Sequence, residues 1–492
     1  MSPSANEKNA PWLAPGRNCW RVETAGRFAV LMENAAYFEA LQSALAKAKR
    51  SVVMLGWQFD PRTRLDPETP PNDHQAQIGH QLRMMVKARP ELDIRLLIWK
   101  SSLPIAATQE FFPHKARKWF EGSRVRFRLD DQVPFGACHH QKIVVIDDRL
   151  AFCGGGDIGV DRWDTPGHLD VDFRRIMPDQ ECHAPRHEVM MMVDGAAARA
   201  LGDHFRERWR LGCDGEEMAP PPDAGGDPWP DHVPPHLQGV DICISRTAPP
   251  WRGRPAIDEL RRLTLAAIAE AKETIYLENQ YFTSPVITEA LARRLTEPDG
   301  PEVVIVTTGE SPSWFDKMAM DNARGAMVWR LRAADVFGRF RAFYPRTAAG
   351  STIIVHSKTS FFDDRLARVG SANLNNRSFG FDTEIELAVQ ARSDEERLTL
   401  AAMRDRLVGH FLGYTGDAVT KARADHGGLV PAIDALNRED RLREIHPSRH
   451  HVFAEFVAAY HLGDPASPED SWRPWRRRQR LFEAARRLSA PS

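Results

Sequence analysis

Apolar positions along the chain follow a helical period and then a strand-like run, and this sequence of patterns occurs twice. Phe38, Leu41, Leu45 and Ala48 fall at helical spacing and run out at Lys49-Arg50, basic residues suited to a helix C-terminus. The unbroken run Val52-Val53-Met54-Leu55 follows, then Gly56-Trp57-Gln58-Phe59-Asp60-Pro61. Later, Ile257, Leu260, Ala267, Ile268 and Ala271 mark a helix ending near Lys272, followed by Ile275-Tyr276-Leu277 and Glu278-Asn279-Gln280-Tyr281-Phe282. Each unit leads to another buried-strand run, Ile94-Arg95-Leu96-Leu97-Ile98 and Val303-Val304-Ile305-Val306. Helices alternating with short β-rich runs predict α/β halves whose sheets are covered by helices. Pro, Gly and Asp crowd Met218 to Gln238, which reads as a linker or long surface loop. The predicted organisation is a first half over 1–217, the linker over 218–238, a second half over 239–416, and a C-terminal extension over 417–492. The extension has no counterpart in the first half and is expected to be helical in places, such as around Val452 to Ala459.

Composition adds limits. At 492 residues the chain exceeds what one hydrophobic core usually serves. The net charge of -1 lacks the basic excess typical of a nucleic-acid binder. Basic residues gather only near the end, where Arg473, Arg476, Arg477, Arg478, Arg480, Arg486 and Arg487 face a single Glu483. Such a cluster is either a solvated helix face or a handle for anionic headgroups, each basic residue contributing about 1 kcal/mol at such a surface. No apolar run is long enough to span a bilayer, and Met1 to Pro15 lacks a signal pattern, so a cytoplasmic protein, at most peripheral at the inner membrane face, is expected. The six cysteines lack zinc-ligand spacing and read as free, mostly buried thiols.

The chemistry lies in a duplicated motif. His140-Gln141-Lys142 is followed, after four intervening residues, by Asp147, and His356-Ser357-Lys358 by Asp363 at the same spacing. After each Asp six residues pass before a small-residue turn, Gly154-Gly155-Gly156-Asp157 and Gly370-Ser371-Ala372-Asn373. Beyond each turn sits an arginine, Arg162 and Arg377. In extended chain, residues two apart project to one side, so each His stands with its Lys. The imidazole can attack phosphorus while the ammonium holds a non-bridging oxygen. The glycine-rich turn lets backbone and Asn373 approach phosphate. Asp147 and Asp363 lie an odd number of positions beyond their Lys, which predicts a turn-stabilising role. A nucleophilic His needs an acceptor on its other ring nitrogen. The second half offers Glu384, ahead of Ile385-Glu386-Leu387-Ala388-Val389; the first offers Glu188, ahead of Val189-Met190-Met191-Met192-Val193, with Asp170 and Asp172 competing. Trp57, Gln58, Gln280 and Tyr281 end core strands and either line the pocket or plug it. Ser311 to Met320 reads as a lid or membrane-dipping loop, or as the start of a core helix. His114, His168, His183, His187, His204, His446, His450 and His451 read as surface or core histidines, and no His/Asp/Glu group shows metal-ligand spacing.

From Cys19 to Gly413 these residues resemble the phospholipase D superfamily. The runs His139-His140-Gln141-Lys142, Ile275 to Phe282 and Gly370-Ser371-Ala372-Asn373-Leu374-Asn375-Asn376-Arg377-Ser378 resemble its lipid-cleaving branch. His187-Glu188 falls where that branch has a His-Asp pair; Asp157 stands where the family usually has Asn. The resemblance implies two pseudo-symmetric α/β domains, each a mixed β-sheet flanked by helices, with the active site at their interface and neither cofactor nor metal in the chemistry. It implies that His140 attacks a glycerophospholipid, that His356 acts as acid and then base, and that Lys142, Lys358 and Asn373 hold the phosphate. Water or an alcohol is the acceptor; a monomer with a phospholipid partner and no nucleic acid is expected. The rival readings are a cardiolipin synthase-like phosphatidyl transferase, a nuclease of the same family, and a non-enzymatic binder.

Overall fold

The computed structural model describes residues 12–70, 73–101, 113–223, 225–311, 317–446 and 463–468. The repeat in the sequence becomes two half-sheets of matching strand order. The first half contributes β1 (Arg21–Met32), β2 (Ser51–Gly56), β3 (Asp93–Trp99), β4 (Arg126–Asp130), β5 (Ile143–Ile146), β6 (Leu150–Gly154), β7 (Arg186–His187) and β8 (Val189–Asp194). The second contributes β9 (Leu237–Ala248), β10 (Ile257–Asp258), β11 (Thr274–Asn279), β12 (Glu302–Val306), β13 (Phe340–Pro345), β14 (Ile354–Val355), β15 (Lys358–Phe362), β16 (Leu366–Gly370), β17 (Glu384–Gln390) and β18 (Leu442–Glu444).

Starting from the middle, the first half runs β1-β8-β6-β5-β2-β3-β4 and the second β9-β17-β16-β15-β11-β12-β13-β18. In both, three neighbouring strands are parallel (β2, β3, β4; β11, β12, β13) and the rest of the path is antiparallel. The halves meet along β1 and β9, antiparallel from Arg21↔Ile244 to Phe28↔Leu237, so the described strands form one 16-stranded sheet, with β7 and β14 paired apart from it. The fold is a duplicated, mixed α/β arrangement.

Strands such as β2, β5 and β6 are buried along their whole length, which is why they read as continuous apolar runs rather than alternating ones. The Glu33–Lys47 helix packs Phe38, Leu41 and Leu45 with Val52 and Met54 on one face of the first half. The Glu259–Glu270 and Pro285–Leu295 helices do the same in the second. The Gly195–Gly212 and Asp394–Leu412 helices cover the other face, over a core that is continuous between the halves. Ile257 departs from expectation. It pairs with Ala248 in β10, and the helix begins only at Glu259. Described residues of the proline-rich stretch form neither helix nor strand before Leu237, yet they are tied down. Trp229 is buried, and Lys47 Nζ–H donates to its carbonyl at 2.7 Å. Residues 416–446 add two helices and β18, which extends the sheet beyond β13. The helix expected around Val452, the arginine cluster, His450 and His451 lie outside the described residues. Cys182 is exposed, unlike Cys19, Cys138, Cys153 and Cys243, and all six thiols are free.

The motif aspartates sit far from the imidazole nitrogens and explain the strand entries. Asp147 and Asp148 both have φ above +50°, as do Asp363 and Asp364, so β5–β6 and β15–β16 close through tight turns with two left-handed residues. The Asp147 carboxylate accepts the N–H groups of Lys49, Arg50 and Ser51 at 2.7–2.8 Å. Asp363 accepts those of Lys272, Glu273 and Thr274 at 2.5–2.9 Å. Each therefore anchors the helix-to-strand corner ahead of β2 or β11. Removing either leaves three N–H donors without their acceptor. Asp147→Ala and Asp363→Ala are each expected to lose about 3 kcal/mol of stability, seen as a lower urea midpoint, with turnover per folded molecule nearly unchanged.

Candidate active site

Two short parallel pairings carry the chain across the gap between the halves. Just before β5, His139 bridges Thr383, the residue ahead of β17. The His140 N–H donates to the Thr383 carbonyl at 2.9 Å, and the Thr383 N–H to that of Cys138 at 3.0 Å. Just before β15, β14 pairs with β7 in the register Val355↔His187, and the His356 N–H donates to the His187 carbonyl at 2.8 Å. In a parallel register the next residues on both strands are again neighbours. The next residues are a histidine of one half and a glutamate of the other. His140 Nδ1 thus lies 3.1 Å from Glu384 Oε2, and His356 Nδ1 lies 2.5 Å from Glu188 Oε1. Each carboxylate serves the opposite half's histidine.

The two supports differ in strength. His140 Nδ1 also reaches the Ser371 carbonyl at 3.0 Å, and a carbonyl can only accept, so the proton is fixed on Nδ1 and Nε2 keeps its lone pair. Glu384 is itself held by the hydroxyls of Ser371 at 2.5 Å and Ser378 at 2.6 Å. Among the described residues His356 Nδ1 has Glu188 alone, in a close approach rather than an aligned hydrogen bond. Ser371 and Ser378 were not singled out from the sequence, although both stand in the run Gly370 to Ser378.

Burial, reinforced by Lys142 and Lys358, holds His140 well below the usual imidazole range. Burial does the same to His356, reinforced by Lys358, Arg162 and Arg186. Both rings are neutral at neutral pH, the state a nucleophilic nitrogen needs. Burial pushes Glu384 up to about 8 against the opposing Ser371 and Ser378 hydrogen bonds. It pushes Glu188 up to about 7 against Lys358, Arg162 and Arg186. Burial brings Lys358 down to about 7, opposed by Glu188.

The lysines are not equivalent. Lys142 Nζ lies 3.2 Å from Asp157, whose other oxygen accepts the N–H groups of Trp57 and Gln58. Both ammonium groups donate to the carbonyl of their own motif histidine, at 2.8 and 2.6 Å, but Lys358 has Gln280 Oε1 at 3.3 Å where Lys142 has the carboxylate. Where the first half has Asp157, the second has Asn373, whose buried Oδ1 has no hydrogen-bond partner among the described residues. Gly155 shows why the turn before Asp157 is glycine-rich: a Cβ there would stand 2.7 Å from Glu188 Oε2 and 2.9 Å from the His356 carbonyl. Trp57 stacks on Trp99 at 5.9 Å, and Gln280 reaches the site through Lys358. Arg377 pairs with Asp382, whereas Arg162 lies beside Asp161. Asp170 accepts from Thr347, and Asp172 pairs with Arg174, so neither touches a motif histidine. Residues 312–316 of the expected lid lie outside the described residues; Ser311 is bound to Asp321 and Met320 is buried. The folded chain also gathers Glu33, His168, His187 and His410, a group whose spacing in sequence gives no sign of it.

Two family models match the chain. Residues 44–219 match one described as phospholipase D, and residues 264–403 match one described as cardiolipin synthase, PLD-like domain. Phospholipase D A of Dictyostelium discoideum is 24% identical over 474 residues, covering 81% of this chain and 35% of the relative. Phospholipase D1 of Saccharomyces cerevisiae is 24% identical over 505 residues, covering 82% of this chain and 29% of the relative. The chain thus spans about a third of the length of these curated relatives. The solved phosphatidylserine synthase of Haemophilus influenzae shares the fold at a TM-score of 0.52 and 12% identity, over 85% of this chain and 97% of that one. With both halves matched and their motif histidines placed at one interface, the chain belongs to the phospholipase D superfamily.

Proposed function

We propose that the protein is a phospholipase D-type phosphodiesterase that hydrolyses glycerophospholipids to phosphatidic acid and a free headgroup alcohol. The carrying observation is the crossed pair of neutral imidazoles. His140 Nδ1–H is held by the Ser371 carbonyl and Glu384, which leaves Nε2 free to attack. In the first step Nε2 of His140 forms a bond to phosphorus, the P–O bond to the headgroup breaks, and His356 gives that oxygen a proton. In the second, His356 takes a proton from water, the water oxygen bonds to phosphorus, and the P–N bond breaks. Lys142, Lys358 and Asn373 hold the equatorial oxygens. The bound diester anion compensates Lys358 and raises the proton affinity of His356, which burial and the neighbouring cations keep low. Glu188 and Glu384 orient the rings.

A second reading is favoured by the match of 264–403 to the cardiolipin synthase description: the same phosphohistidine is resolved by an alcohol, giving a new phosphodiester. The test is product analysis with mixed phospholipid vesicles, with and without ethanol. Phosphatidic acid, partly replaced by phosphatidylethanol, is the expected result. A new headgroup ester as sole product selects transfer. Cleavage of DNA with the lipids untouched overturns the lipid reading.

A further inference from the structure

Behind Glu188, away from the phosphate side, four buried side chains from distant parts of the chain converge. Glu33, His168, His187 and His410 each present one ligand-type atom, and these atoms all lie within 4.8 Å of one another. Glu33, His168 and His187 are almost wholly buried, and the His410 side chain is 6% exposed. We propose that these four residues form a closed site for one divalent transition-metal ion, zinc in type, that fastens the Asp394–Leu412 helix of the second half to the first half.

The spacings fit. Glu33 Oε1 lies 3.3 Å from His168 Nε2 and 3.6 Å from His410 Nε2, and the two Nε2 atoms are 3.4 Å apart. A tetrahedron with metal–ligand bonds of ~2.0–2.1 Å has edges of about 3.3–3.4 Å. His187 Nδ1 stands closer to Glu33 than such an edge, and an ion between them would part the two.

The outward ring nitrogens carry the stronger argument. His168 Nδ1 contacts Asp164 Oδ2 at 2.9 Å, His187 Nε2 contacts Glu278 Oε2 at 2.8 Å, and His410 Nδ1 contacts the Leu407 carbonyl at 2.5 Å. A carboxylate or carbonyl accepts only, so each outward nitrogen bears a proton, and the inward nitrogens all turn to the Glu33 carboxylate. An ion that displaced the inward protons would meet three imidazole nitrogens and one carboxylate oxygen at a buried point. The outward contacts are the outer-shell pattern of metal-bound imidazoles, with the acceptors themselves fixed. Asp164 also accepts the Arg186 N–H, and Glu278 accepts Tyr276 and Ser357 hydroxyls. Glu33 holds its position at φ +70°, a left-handed conformation that costs a non-glycine residue about 1–3 kcal/mol. Three imidazoles and one carboxylate, without thiolate, suit zinc.

The ion would be structural. Glu33 Oε2 accepts the Glu188 N–H at 3.0 Å, and His187 precedes Glu188 in the chain, so the site sets the backbone from which Glu188 reaches His356. It supplies no step of the phosphoryl chemistry.

The test uses the full chain and readouts other than activity. Elemental analysis of protein purified with zinc present is expected to give one zinc per chain. Removal by a strong chelator is expected to lower the unfolding temperature by about 5 °C, and zinc to restore it. Cobalt in its place should give the visible bands of a tetrahedral site. His410→Gln and His168→Gln should each lose the metal, while His232→Gln, outside the cluster, should keep it. If either ligand variant fails to fold, the wild-type stoichiometry and cobalt spectrum decide. A chain that takes up no zinc on reconstitution and shows the same unfolding temperature with and without chelator would falsify the site and leave a proton-shared hydrogen-bond network. Metal content unchanged in both ligand variants overturns it equally.

Discussion

Alanine at His140 or at His356 is expected to lower turnover by about 10³-fold or more while the protein stays folded. In the proposed mechanism each ring supplies a function the other cannot take over in the same step, since one forms the bond to phosphorus while the other moves the proton. The measurement is initial rate on a soluble phosphodiester beside the unfolding curve of each variant. The two alanine variants should also differ in a trapping experiment. His356→Ala keeps the proposed nucleophile and is expected to accumulate phosphohistidine when the substrate's leaving group needs no proton. His140→Ala is expected to accumulate none. Either variant retaining more than a tenth of the wild-type rate would exclude a shared two-histidine site.

The second large effect concerns the orienting carboxylates and is unequal by construction. Glu188→Gln is expected to lower kcat by about 10³-fold, because a carboxamide no longer stabilises the Nδ1–H tautomer or the cationic form of His356. Glu384→Gln is expected to cost only about 10²-fold, because the Ser371 carbonyl still fixes the proton on His140 Nδ1. Nitrogen-resolved NMR of the imidazoles separates this from a general loss of structure. Glu188→Gln should disturb the His356 ring and Glu384→Gln the His140 ring, across the halves in both cases. Disturbance of the histidine in the same half would contradict the crossed pairing. Glu188→Asp, which keeps the charge, should recover part of the rate if the carboxylate acts through the ring.

Much of this was legible in the sequence, for identifiable reasons. The doubled motif, the strand runs at Val52, Ile94, Ile275 and Val303, and the trailing small-residue turns all depend on local spacing, which a linear reading preserves. Asp147 and Asp363 could be set apart from the chemistry by counting residues along an extended chain. The exchange of Glu188 and Glu384 between halves was not legible, because it follows from parallel pairings of one or two residues between segments more than a hundred positions apart. Ser371 and Ser378 stood in a motif already noted, but only the fold turns their hydroxyls onto Glu384. Glu33 and His410 gave no signal, since neither lies near the motif. The strand β18, which extends the sheet, is too short to show a period.

The crossed pairing makes the seam between the halves a fidelity check on the enzyme. Each imidazole is tuned by a group anchored in the other half, so an ångström of slip along the seam would detune both rings together. A chain whose halves have each collapsed but not yet mated would carry every catalytic side chain and no competent nucleophile. Recovery of activity during refolding would then report the mating of the halves rather than the formation of either one.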